Sequence, residues 1–101
     1  MATVTSKVLA RQAAAVTNTT LYTVPASTTT VVTNIAVTNT ASSIATFDLS
    51  LNDIQIFNDS SVAANTTVFV DLKQVLTTTQ TIKGLASAIT VNFHISGVEI
   101  V

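Results

Sequence analysis

Residues 21–39, LYTVPASTTTVVTNIAVTN, read as the end of a short strand, a proline-marked turn and a second, longer strand. The short β-rich segment 19–24 stops at Pro25, because proline has no amide to donate and a fixed φ, so a strand ladder cannot run through it. Residues 26–28 make the turn. From 29 to 39, Val31, Ile35 and Val37 fall on one face with Thr33, while Asn34, Ala36 and Thr38 occupy the other, and Val32 blurs the start. Such one-sided alternation belongs to an antiparallel sheet covered on one face only.

The same pattern recurs on both sides of this stretch. Downstream, residues 44–51 place Phe47, Leu49 and Leu51 inward and Thr46, Asp48 and Ser50 outward. Asn52-Asp53 reads as a tight turn into 54–57, with Ile54 and Ile56 inward and Gln55 and Phe57 outside. Residues 58–61 read as another turn. Strand 66–72 points Val68, Val70 and Leu72 inward and Phe69 outward beside Asp71. Residues 73–79 are ambiguous, and 80–85 form a short strand. The last strand alternates Ile89, Val91, Phe93 and Ile95 with Thr90, Asn92, His94 and Ser96, and the apolar phase then moves to Val98 and Ile100. A slip of one residue at glycine predicts a bulge at Ser96-Gly97. Upstream, residues 3–9 read as a first strand followed by a loose connection, although 7–16 also holds good helix formers.

Composition agrees with strands. Charged residues make up 9% of the 101, against a usual share of about 25%, and Gly and Pro are scarce. The abundant Thr, Val and Ile have stiff β-branched side chains that suit a pleated surface. The chain is long enough to bury roughly two thirds of its unfolded surface in one core. Seven or eight short strands predict an all-β fold: a single antiparallel β-sandwich domain over 1–101, jelly-roll or immunoglobulin-like in topology, with 1–18 as a candidate N-terminal arm. A closed barrel is the next choice.

Several function classes are disfavoured. There is no cysteine for a disulfide or a thiolate metal site. Four basic residues against five acidic ones leave no electrostatic footprint for nucleic acid. No uninterrupted apolar run is long enough for a membrane span, and MATVTSKVLARQ lacks a secretory h-region, so synthesis in a cytoplasm is expected. His94, the only histidine, could be drawn into a triad with an Asp and a Ser or Thr, but no strained nucleophile elbow is present and an exposed or interface histidine is the better reading. Asp48, Asp53, Asp59 and Asp71 could supply oxygen ligands to calcium if they converged, yet no calcium-loop motif occurs and Asn52-Asp53 and Asn58-Asp59 are explained as turns. Asn18-Thr19-Thr20, Asn58-Asp59-Ser60 and Asn65-Thr66-Thr67 match the glycosylation pattern at the rate a Thr- and Asn-rich chain produces by chance. No catalytic residue, metal or cofactor is assigned.

The opening stretch also resembles a pattern in small virion structural proteins of tailed bacteriophages: an L-Y-T-V-P-A strand, a Thr-rich turn and a T-x-I-x-V-x-N strand. The likeness continues through SVAANTTVFVDLKQVLTTTQTIKGLAS and the closing VNFHISGVEI. What the resemblance implies is a non-enzymatic β-sandwich of the virion. A capsid cement or decoration protein is favoured, binding major capsid protein on the outer shell surface, with itself as partner in a homotrimer and with neither nucleic acid nor membrane. A tail or fibre module that binds a host glycan is the alternative. On this reading Tyr22, Phe57 and Phe69 are interface aromatics, and Lys7 and Arg11 anchor the mildly basic end to an acidic shell.

Overall fold

The computed structural model describes residues 3–101. Eight strands follow one another: β1 (Val4–Ala13), β2 (Thr19–Thr23), β3 (Thr29–Asn39), β4 (Ala45–Leu51), β5 (Ile54–Val62), β6 (Thr66–Leu76), β7 (Thr81–Ala86) and β8 (Val91–Ile100). They build two four-stranded antiparallel sheets, one ordered β1-β8-β3-β6 and the other β2-β7-β4-β5. In this order the chain alternates between sheets for its first four strands and again for its last four, staying in one sheet only from β4 to β5. That is the double-sheet jelly roll, which separates it from the immunoglobulin-like arrangement and from a closed barrel.

The core lies between the sheets. Ile35, Val37, Phe93 and Ile95 from the first sheet meet Phe47, Leu49 and Ile82 from the second, all at most 2% exposed. The Phe47 ring stands edge-on to Phe93 with centroids 6.2 Å apart and lies 5.3 Å from Phe57, so aromatic contact ties the layers together. At one end of the sandwich the fully buried Asn39 cross-links the β3–β4 and β5–β6 turns. Its Nδ2 donates to the carbonyls of Ser43 (2.8 Å), Val62 (3.2 Å) and Ala63 (3.4 Å), and its Oδ1 accepts the Ala41 amide at 3.0 Å.

Period-two reading locates the inner face of β4, and that of β8 from Val91 to Ile95; Ile89, expected inside, lies in the turn before β8 and is exposed, and the bulges fall elsewhere than expected. In β3 the extra residue is Thr33, so Thr30 and Val32 face inward before it and Ile35 and Val37 after it. Val31, expected inside, therefore lies on the outer face, because one inserted residue reverses every side chain beyond it. The bulge expected at Ser96-Gly97 sits on the neighbours instead. Leu9 of β1 is unpaired opposite the Ile95–Ser96 step and Thr33 of β3 opposite the Ser96–Gly97 step, while β8 keeps its alternation. Val91, Phe93, Ile95 and Gly97 are thus followed on the inner face by Glu99, which was expected outside.

Two further differences concern boundaries. The expected loose connection after residue 9 is in part strand, since β1 pairs with β8 as far as Ala13; most of the stretch read as a candidate arm is therefore in the sheet. The expected turn at 58–61 lies within β5. There Asp59 takes a left-handed φ of 48°, and its amide donates to the Asp48 carboxylate at 2.7 Å across a bulge. This bulge and another near Ile56 re-aim β5, so Phe57 packs on the core while Ile54 and Ile56 face out.

Candidate interaction surface

The five residues expected at an interface separate into three groups. Tyr22 is a core residue, not a surface aromatic. Its ring is buried, and its hydroxyl donates to Glu99 Oε2 at 2.5 Å and accepts from the Thr30 hydroxyl at 2.8 Å. Lys7 belongs to the same network: its Nζ lies 3.3 Å from Glu99 Oε1, and the Glu99 side chain is only 12% exposed. The inward phase of β8 thus brings a carboxylate to the margin of the core, where a phenol and an ammonium satisfy it. Phe57 is half-buried against Phe47.

Burial, reinforced by the hydrogen bond to the Glu99 carboxylate, pushes the Tyr22 phenol up to about 12. The phenol, and after it Lys7, hold Glu99 below the ordinary carboxylate value of 4.5. The linkage has a definite sign. Tyr22 contributes stability that is complete below pH 10.0 and is lost as pH rises toward about 12, because the unfolded phenol ionises first. Glu99 contributes stability above pH 4.5 that is lost on acidification through its lower folded value. Tyr22 is the only tyrosine and the chain has no tryptophan. An ultraviolet titration should therefore show one tyrosinate transition near pH 12; a transition near 10 in the folded protein would contradict the network.

Arg11 and Phe69 share an open face. Cross-strand register places Arg11 opposite His94, His94 opposite Ala36 and Ala36 opposite Phe69, one row across all four strands of the β1-β8-β3-β6 sheet. Phe69 is 72% exposed. Toward the other end of the same face, Val98 neighbours Val31 and Val31 neighbours Val75, with Val4 beside Ile100 in the adjoining row. Period two alone hides this apolar bank, because it places Val31 inward until the inserted Thr33 is known. The unbroken alternation from Val91 to Glu99 was the available signal for the true phase of β8.

Both layers carry mixed charge. Lys7, Arg11 and Lys73 lie with Asp71 and Glu99 on the sheet that bears the apolar bank, while Asp48, Asp59 and Lys83 lie on the other sheet and Asp53 in its β4–β5 turn. The four aspartates do not converge. Asp48 holds the β5 bulge, Asp53 pairs with Lys83 at 2.8 Å, and Asp71 accepts from Asn34 Nδ2 at 3.2 Å. Among the described residues no group of three or more His, Cys, Asp or Glu side chains is placed to hold a metal ion. At the β5–β6 flank, Gln55, Gln74 and Gln80 line an open cleft of about 440 Å³ with Ile54 and Ile56.

The fold defines the class of this chain as an eight-stranded antiparallel jelly roll. It is similar to a chain of the T13 IBDV viral particle, with a TM-score of 0.62 over 98% of this chain and 30% of that chain, at 9% identity. The chain thus spans less than a third of that neighbour's length, and the likeness is one of fold. It is also similar to a pentameric capsid protein isolated from metagenomic phage sequences, at a TM-score of 0.37 and 16% identity over 97% of this chain and 59% of that chain, too low for any argument. No family model and no curated protein matches the chain.

Proposed function

We propose that this chain is a non-enzymatic structural component of a bacteriophage particle, a capsid cement protein that seats on the outer surface of a shell of major capsid protein. The observation that carries the reading is the jelly-roll strand order, with a fold shared over nearly the whole chain with part of a viral-particle protein. Fold alone does not assign function. The phage-like motifs along the sequence supply the second support. The polar side chains add a third: Asp48 is engaged in a bulge, Asp53 in an ion pair, Asp71 in a hydrogen bond from Asn34 and Glu99 in the Tyr22 network, not arranged around a reactive cleft.

A cement works by mass action. A protein that binds only the assembled shell stabilises it by about 2.7 kcal/mol per site at a free concentration of 100 Kd. Emptied shells titrated with the purified chain should bind it saturably and melt at a higher temperature in its presence. Absence of binding removes the reading.

The amide-lined cleft at the β5–β6 flank favours a second reading, a tail or fibre module that takes a host glycan. Saturable binding to host polysaccharide, with only a few dozen copies per virion on a stained gel, would select it. Hundreds of copies select cement.

A further inference from the structure

From the register of the outer face of the β1-β8-β3-β6 sheet we infer that this face pairs with a second copy of the chain about a two-fold axis running roughly along the strands. Arg11 and Phe69 mark opposite ends of one cross-strand row. Three inter-strand steps, about 14 Å, separate them, so the cation and the ring cannot meet within one copy. A two-fold axis between β8 and β3 lays the β1 edge of one copy over the β6 edge of the other. It brings each Arg11 to the Phe69 ring of its partner, twice per dimer, in cation–π geometry. The same operation lays the apolar bank on itself: Val4, 63% exposed on one edge, comes over the edge that carries Val75, 61% exposed, with Val31 and Val98 between them.

Area and charge both permit the pairing. Ten residues of β1 at about 3.4 Å each, by four strands at about 4.8 Å, make a face of about 600 Å² per copy. The pair then covers about 1,200 Å², the lower edge of specific interfaces. Of the charges on this sheet, Lys7 is neutralised by Glu99, Asp71 is hydrogen-bonded to Asn34, and Lys73 is exposed two residues beyond Asp71 on β6. Asp48 and Asp59 on the other sheet stay in water. A two-fold dimer is a different assembly from the homotrimer that the family resemblance implies.

Sedimentation equilibrium of the full chain is the test. At about 10 µM the mass should be twice 10.5 kDa. Phe69→Arg sets arginine against Arg11 at both ends of the interface and should weaken the dimer by about 100-fold. Adding Arg11→Phe restores both pairs with the roles exchanged and should recover affinity to within about ten-fold of the parent. Phe69 is exposed, and a tyrosinate transition near pH 12 in each variant verifies that the core is intact. A parent that is monomeric or trimeric, a dimer indifferent to Phe69→Arg, or a double variant that stays monomeric would each overturn the inference. Shell binding is a separate measurement: a dimer that ignores shells keeps this pairing and removes the cement reading.

Discussion

Asn39→Asp is expected to destabilise the protein by about 4 kcal/mol, a large part of the roughly 5–15 kcal/mol that holds a domain of this size together. The substitution replaces an NH₂ group by an oxygen at a position with no exposure. That oxygen would face the carbonyls of Ser43, Val62 and Ala63, which Nδ2 now bridges at 2.8, 3.2 and 3.4 Å. A carboxylate there has neither water nor a donor on that side, so its pKa must rise on folding. The penalty is therefore largest at neutral pH and diminishes toward acid, where a protonated carboxyl donates one bond back. Asn39→Ala separates the contributions: it leaves the carbonyls unbonded without introducing charge and should cost about 3 kcal/mol with no such pH dependence. Urea midpoints at pH 7 and pH 4 measure both. A loss below about 1 kcal/mol for the Asp variant would show that the two turns do not depend on this side chain.

Gly97→Ala should cost about 3 kcal/mol or more, for a reason peculiar to the bulges around it. A Cβ at Gly97 would stand 2.2 Å from the Val31 carbonyl oxygen and 3.0 Å from Leu9 Cδ1. The nearest obstacle is backbone, held by the β3–β8 ladder where Val32 pairs with Gly97, so it cannot turn aside as a side chain does. Gly84→Ala is the internal comparison. There the nearest atom is Leu49 Cδ2 at 2.7 Å, the end of a side chain, and a loss of about 1–2 kcal/mol is expected. Thermal or urea denaturation of the two variants ranks them directly. Equal losses would show that the β3 backbone yields at Thr33.

How much of this was legible beforehand depends on whether a strand keeps one register. In β4, Phe47, Leu49 and Leu51 alternate with polar partners and nothing is inserted among its own residues, so the sequence displays its inner face directly. Outward Phe69 was readable for the same reason, in the regular part of β6. In β3, Val31 and Val32 are both apolar, so period two admits either phase, and the inserted Thr33 settles it only through pairing with β8. Glu99 shows the opposite failure. Its charge argued for the surface, while the alternation of β8 carried it inward to a phenol that lies 77 residues earlier in the chain.

The interface residues follow the same division. Sequence marks Arg11 and Phe69 separately, one as basic and one as an outward aromatic, and register alone places them in a common row. Tyr22 and Lys7 carry the same marks and are taken up by Glu99.

From its order of residues alone the chain declares an all-β fold, the turns at 26–28 and 52–53 and the inner faces of its regular strands. These are local properties: stiff β-branched side chains, alternation with period two, and turn residues that bond to their own backbone. Strand order, the position of each bulge and the company each charged side chain keeps were decided by tertiary structure. They depend on which distant strand supplies the hydrogen-bond partner, and a single unpaired residue such as Leu9 or Thr33 reverses inside and outside for all that follows.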